Sequence, residues 1–392
     1  MAVVGIICEY NPLHRGHERM LHLLRQQGYE GIVCAMSGHF VQRGEAAVVG
    51  KLARAEMALR CGADLVLEIP TPWAAATAER FARGGVEVLR QTGVVDTLAF
   101  GAECADAVEL TAVADTLDSG EYRAALCDAA DDGVTFAARR QRAVAAVLGP
   151  ERAAVLAQPN NTLAVEYLRC LRGTGIKALA LPRQGAGHDA PQTADGIASA
   201  SRVRQLLLSG ETEQALSYMP ESAAVVLRRE LASGRAPADM RRCDRAILAR
   251  LRRMEEEEWA RYDGGGEGLY RRLYQAVQQS ASVDEVLQRA KTKRYPMARL
   301  RRMVLSAWLE LPAPSAHVPY LRLLGASGTG RRLLRQMSAP VLTKAADVTR
   351  LGAEAAELFR QESRWSDLYT LACPVVAPCG EDWRMTPILV SD

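Results

Sequence analysis

A parallel α/β sheet covered by helices on both faces is the fold class this chain predicts, and three observations predict it. Through the first half, short and nearly continuous apolar runs alternate with amphipathic stretches, as strands buried on both faces require. The polar segments fit for chemistry begin where those runs stop, and open α/β sheets hold ligands beyond the carboxyl ends of their strands. After about residue 205 the runs become rare, arginine becomes common and helical spacing takes over. The expected organisation is a sheet domain over 1–205 and a mostly helical region over 206–392.

Taken in order, Val3–Cys8 reads as a strand and His17–Gln27 as a helix closed by Gly28, the residue type that most easily adopts the left-handed turn after a helix end. Ile32–Met36 is a second strand. Lys51–Cys61 is helical, stops before Gly62 and leads to the strand Asp64–Ile69. A helix over Glu79–Gln91 and a strand over Val95–Phe100 follow. Helical stretches fill roughly 105–172, and Ile176–Leu181 is a fifth strand. Beyond it, Ala223–Leu231, Met240–Arg253 and Gly268–Gln278 carry helical spacing. Asp263-Gly264-Gly265-Gly266 marks a flexible turn, and the end near Pro374–Pro387 reads as irregular. There is no internal repeat.

Composition narrows the function classes. At 392 residues the chain suits two or three domains, on a prior of ~100–200 residues each. Its 48% hydrophobic and 24% charged content is that of a folded globular protein. A net charge of +3 is too small to imply nucleic acid by itself. Nine scattered cysteines include no CxxC pair, which argues against a zinc ribbon or thioredoxin-like site. Their odd number, with no leader-like N-terminus, favours a reducing compartment and hence the cytoplasm. No apolar run approaches the ~20 residues that span a bilayer.

The most informative stretch is Glu9-Tyr10-Asn11-Pro12-Leu13-His14-Arg15-Gly16-His17. It leaves the first strand, turns at Asn11-Pro12 and enters a helix at about Gly16. A helix start offers unpaired N–H groups and partial positive charge, which suits a phosphate. His14 and His17 stand three apart, so a first helical turn puts them near one face. Gly16 lets a flat ligand approach the backbone. Two imidazole donors would stabilise the charge that builds on an α-phosphate under attack. An exposed turn with incidental histidines is the plain alternative. A zinc site is disfavoured, because no third ligand stands at metal spacing nearby, and no metal ligand is assigned.

With these residues in view, Val4-Gly5-Ile6-Ile7-Cys8 followed by that stretch resembles the opening of the bacterial tRNA(Met) cytidine acetate ligase family, part of the HIGH superfamily of nucleotidyltransferases. The resemblance continues through Met36-Ser37-Gly38-His39-Phe40-Val41-Gln42-Arg43-Gly44-Glu45, Gly62–Glu68, Phe100-Gly101-Ala102-Glu103 and Pro159–Tyr167. It resumes at Glu267-Gly268-Leu269, Lys291–Tyr295 and Pro319–Arg322, and so spans most of the chain. It implies a Rossmann-like sheet of the HIGH nucleotidyltransferase type, with His14 and His17 catalytic. It implies ATP contacts from Ile7, Cys8, Glu9, Tyr10, Asn11, Pro12, Leu13, His14, Arg15, Gly16, His17, Glu18, Arg19 and Met20.

Further ATP contacts are implied at Gly101, where the bare residues equally allow an ordinary turn, and at Asn160 or Asn161, which precede a helix over Thr162–Leu171 and would otherwise cap it. Arg183 would grip phosphate or else lie on the surface. Ser199, Ser201 and Arg204, at a helix start similar to the second superfamily signature, would hold β- and γ-phosphates or provide a plain cap. His39 and Gly50-Lys51-Leu52 depart from the family pattern, where Asn and Asp-Lys-Trp are more usual. That puts details of the acceptor side in doubt.

Residues 289–302 hold seven Lys/Arg and no acid. One-signed density around Tyr295 suits an RNA backbone with base stacking, whereas a solvated helix face would mix signs. Lys291, Lys293, Arg294, Arg299, Arg301 and Arg302 are the candidate tRNA contacts, with Met240-Arg241-Arg242 and Gly330-Arg331-Arg332 as extensions. The resemblance implies acetate activated by ATP as acetyl-adenylate, then acetyl transfer to the wobble cytidine of elongator tRNA(Met), giving N4-acetylcytidine. Mg2+ is expected to accompany ATP. No membrane and no protein partner are implied. An adenylyltransferase for a small phosphorylated metabolite, or a catalytically silent RNA-binding protein, are the alternatives.

Overall fold

The computed structural model describes residues 1–129, 133–182, 197–262 and 268–391. The strands are β1 (Val3–Cys8), β2 (Gly31–Ser37), β3 (Phe40–Val41), β4 (Glu45–Ala46), β5 (Leu65–Ile69), β6 (Thr97–Ala102), β7 (Lys177–Pro182), β8 (Leu321–Ala326), β9 (Val341–Leu342) and β10 (Ile388–Leu389). The main sheet runs β10-β8-β5-β2-β1-β6-β7, with β9 also on β8, while β3 and β4 form a separate hairpin. β1, β2, β5, β6 and β7 are parallel, and β8 lies antiparallel to β5.

Alternation along the strands builds two cores. Val33 and Ala35 of β2 join one face with Leu65, Leu67, Leu98 and Phe100. Ile32, Cys34 and Met36 join the other with Val4, Ile6 and Val66. The helices Arg15–Gln26, Lys51–Arg60 and Ala200–Leu208 cover the second face, and Ala78–Thr92 and Pro159–Leu171 the first. The doubly covered parallel sheet is therefore present. The second half is mostly helical, yet it also supplies β8, so the sheet extends across the boundary near residue 205. The turn expected at Asp263–Gly266 lies outside the described residues, and the tail near Pro374–Pro387 contains a short helix, Glu381–Arg384.

Beside β5, a buried charge cluster joins the two halves. Lys51 Nζ donates to Glu68 Oε1 at 2.9 Å, to Asp382 Oδ2 at 3.0 Å and to Ser366 Oγ at 3.4 Å. Arg322, from β8, lies 2.9 Å from Asp382 Oδ2 and 3.3 Å from Glu68 Oε2. Burial alone raises the Asp382 carboxyl, but Lys51 and Arg322 outweigh it and hold that group well below the usual carboxylate range. Two cations and two anions, each under a tenth exposed, thus satisfy one another. Removing one would leave an uncompensated buried charge, at a cost of about 3–5 kcal/mol.

Glu362 lies close by and behaves differently. Its carboxylate accepts from Thr71 N at 2.5 Å and from Thr71 Oγ1 at 2.7 Å. Burial first, and the Glu68 charge second, push its pKa from 4.5 up to about 8. On unfolding the carboxyl ionises at its ordinary value, so the unfolded chain binds fewer protons over that interval. Its contribution to stability therefore falls as pH rises from 4.5 to about 8, and is level above. Glu362→Gln keeps the shape without the charge. Thermal melts should match the parent near pH 5 and exceed it by several degrees near pH 8; equal shifts at both would contradict a neutral buried carboxyl.

Candidate active site

The sheet order reverses at β1: the chain passes to β2 and β5 on one side, then returns to β6 on the other. The carboxyl ends of β1 and β6 thus flank the crevice where such sheets bind ligands. The turn after β1 and Gly101 near the end of β6 both sit there. A methyl group on Gly101 would meet nothing within 4 Å, so space is open above it.

His14 caps the helix Arg15–Gln26. Its Nδ1 accepts from Gly16 N at 3.0 Å, while His17 Nδ1 accepts from His14 N at 3.3 Å. This is a reciprocal capping box made of imidazoles instead of the usual Ser and Glu. A neutral imidazole that accepts at Nδ1 carries its proton on Nε2, which fixes the tautomer of both rings. The ring centroids lie 3.9 Å apart, tilted by 32°, and Tyr10 meets His17 edge-on at 5.0 Å. Gly16 has a reason within the fold as well. A methyl group there would lie 2.9 Å from His14 Cε1, so the bare Cα makes room for the His14 ring.

The rest of the turn divides by burial. Tyr10, at φ 44°, and Leu13 pack into the core, as does Ile7, against Gly85. Pro12 is buried, Cys8, Glu18 and Met20 are half-buried, and Arg15 and Arg19 are exposed. Asn11 is nearly inaccessible: its Oδ1 accepts from Val48 N at 2.8 Å and its carbonyl from Arg204 Nη1 at 2.8 Å. Glu9 Oε1 accepts from Gln42 N at 2.9 Å, and burial raises the Glu9 carboxyl.

Ser199 caps the helix Ala200–Leu208, its Oγ accepting from Arg202 N at 3.3 Å. Ser201 Oγ accepts from Arg204 Nη2 at 3.1 Å. Through Ser201 and Asn11, Arg204 ties this helix start to the histidine turn. Asn160 and Asn161 do not precede their helix as expected, because it begins at Pro159 and both lie in its first turn. Asn161 is buried, with Oδ1 accepting from Cys104 N at 2.8 Å, whereas Asn160 is half-buried and donates to Glu103 at 2.5 Å. Arg183 lies outside the described residues.

The basic stretch is not one helix face. Lys291, Lys293 and Arg294 occupy a turn, and Arg299, Arg301 and Arg302 fall in the helix Met297–Leu309. Lys291 and Lys293 are exposed and the arginines half-buried. Tyr295, expected to stack on a base, is instead buried beneath the Arg299 guanidinium. His39 stacks on Tyr369 at 4.1 Å with Nδ1 unpartnered among the described residues, and burial lowers its pKa well below the ordinary value. Ser37 Oγ, also buried, lacks a partner among them too. Lys51 belongs to the buried charge cluster with Glu68 and Asp382.

A family model for HIGH Nucleotidyl Transferase matches residues 1–380. The chain is 33% identical to a tRNA(Met) cytidine acetate ligase of Syntrophomonas wolfei, over 99% of each protein. It is 33% identical to one from Listeria monocytogenes, over 99% of this chain and 100% of that protein. A crystal structure of Thermotoga maritima TmcAL bound with alpha-thio ATP superposes with a TM-score of 0.93 at 29% identity, over 100% of both chains. The apo form gives 0.94 at 30%, with the same coverage.

Sequence reasoning missed Arg54, which is fully buried inside the expected helix. Its guanidinium donates to Val49 O at 2.9 Å, Glu9 O at 2.5 Å, Ser37 O at 3.1 Å and Gly38 O. Nothing local in the sequence marks this, since Lys51–Arg60 reads as any helix rich in cations. Arg54→Lys keeps the charge but not the planar fork. Each carbonyl left unpaired costs ~1–3 kcal/mol, so a clear loss of melting temperature and weaker ATP binding by titration are expected. Parent-like melting and binding would refute the assignment.

Proposed function

The chain belongs to the HIGH nucleotidyl transferase family, and on that premise we propose that it is an ATP-dependent ligase joining acetate to the wobble cytidine of elongator tRNA(Met). One observation carries the chemistry: each imidazole of the His14–His17 turn spends Nδ1 on a backbone N–H, so that in the neutral ring the donor is Nε2–H. Such a pair suits an α-phosphate whose non-bridging oxygens gain charge under attack. The names of relatives similar over essentially the whole chain support the substrates.

An acetate oxygen bonds to the α-phosphorus of ATP and pyrophosphate leaves, giving acetyl-adenylate. The N4 amine of the cytidine then bonds to the acetyl carbon. The carbon–oxygen bond to AMP breaks, AMP departs, and the amine loses one proton. In this reading His14 and His17 stabilise the first transition state. Arg204, with Ser199 and Ser201 at their helix start, holds the β- and γ-phosphates, joined by Arg183. The backbone and rims of the turn from Ile7 to Met20, together with Gly101, receive the nucleotide. Asn160 is the better ATP contact of its pair, because it is half-buried whereas Asn161 is buried with its Oδ1 on Cys104 N. Lys291, Lys293, Arg294 and Arg299 of the 206–392 region meet the tRNA backbone, beside Arg301 and Arg302.

Among the described residues, no group of three or more His, Cys, Asp or Glu side chains is placed to hold a metal ion. In this reading Mg2+ enters as the counter-ion of ATP's phosphates, and no step is routed through it. A tRNA substrate puts the protein in the cytoplasm. No described helix is long and apolar enough to cross a membrane.

Incubation with ATP, labelled acetate and unmodified tRNA(Met), followed by digestion to nucleosides, is expected to yield labelled acetylcytidine. AMP joined to a phosphorylated metabolite, or no ATP consumption at all, would defeat the reading. His17→Ala should lower kcat by about 10²–10³ with little change in the KM for ATP. His14→Asn is the sharper variant. Asn caps helices well, so stability should hold while the Nε2 donor and the activity are lost.

A further inference from the structure

The hairpin of β3 and β4 has a tip that is held on both sides. On one side Gln42 N donates to Glu9 Oε1 at 2.9 Å, fixing the tip to the end of β1. On the other, Gly44 sits directly on the helix Met297–Leu309. It is left-handed at φ +75°, its N–H donates to Val41 O at 2.9 Å, and a methyl group there would lie 2.4 Å from Arg302 N. Glu45 pairs with Arg301, and Arg302 Nη1 donates to Gln42 O at 3.4 Å. The tip therefore occupies the seam between the nucleotide crevice and the basic stretch.

Arg43 stands at that tip, half-buried, with no hydrogen bond or ion pair to a described residue. Its neighbours are committed. Arg204 binds Asn11 O and Ser201, Arg54 binds backbone carbonyls, and Arg301 binds Glu45. Burial lowers Arg204; Glu45 and Glu9 raise it, and the Arg43 and Arg301 charges lower it further. Like charges gathered in a partly desolvated seam cost free energy unless an anion joins them. A guanidinium whose fork is not used by any described residue suits the paired oxygens of a phosphate.

We propose that Arg43 is a phosphate-binding residue, gripping a phosphate group that enters the seam during the ligase reaction. The proposal rests on the function stated above. The phosphate belongs either to the triphosphate of ATP or to the phosphodiester beside the acceptor cytidine, and the two sources separate in experiment. Arg43→Gln and Arg43→Lys are compared with the parent in acetate-dependent exchange of pyrophosphate into ATP without tRNA. Acetylcytidine formation across tRNA concentrations and direct binding of ATP and of tRNA complete the comparison.

Arg43→Gln is expected to melt like the parent, because the side chain makes no hydrogen bond or ion pair to a described residue, and to lose about ten-fold or more in kcat/KM. Loss already in exchange assigns the triphosphate. Normal exchange with a raised KM for tRNA, and a salt dependence of tRNA binding shallower by about one ion, assigns the phosphodiester. Arg43→Lys should recover part of either loss. Arg43→Gln within two-fold of the parent in exchange, transfer and both binding measurements would overturn the proposal. A parent protein that binds ATP and tRNA yet makes no acetylcytidine would overturn the ligase reading instead, while the binding measurements still judge Arg43.

Discussion

Four backbone carbonyls meet the buried guanidinium of Arg54, and the spacing of the crevice follows from that meeting. Glu9 O lies just past β1, Ser37 O and Gly38 O at the end of β2, and Val49 O just before the helix that carries Arg54. Parallel strands leave their carboxyl ends with carbonyls that the ladder no longer pairs, and a buried carbonyl must find a donor. A planar group with five N–H bonds serves several at once. The histidine turn and the Ser37–His39 segment are thereby held in fixed relation.

A second constraint acts from the far side of the sheet. Lys51 begins the helix that holds Arg54, and its ammonium is committed to Glu68 and to Asp382 near the chain's end. Arg322 brings β8 into the same cluster. Stability and catalytic geometry are thus coupled through one helix, loaded at its first turn by residues from the second half.

The strands from β1 to β7 that enter the main sheet were legible to within a residue or two, because each is a continuous apolar run set off by a turn residue such as Gly28 or Gly62. β8 was not, because Arg322 interrupts its apolar pattern and is tolerated only through Glu68 and Asp382, both remote in sequence. The histidine turn was legible as a strand-to-helix turn with both imidazoles at its start, but the packing of His14 against Gly16 was not, since it depends on how the His14 ring folds back. The start of the asparagine helix was misjudged although a signal existed: Pro159 is the residue type favoured at a first helical position. Tyr295 looked available in a basic stretch, yet it joins the hydrophobic core, a burial that the local sequence does not mark.

The imidazole capping box makes the start of the helix and the two rings one object. The bonds that satisfy Gly16 N and His14 N are the same bonds that orient the imidazoles. A change that loosens the first helical turn therefore moves both rings at once, and a change to either ring unseats the beginning of the helix.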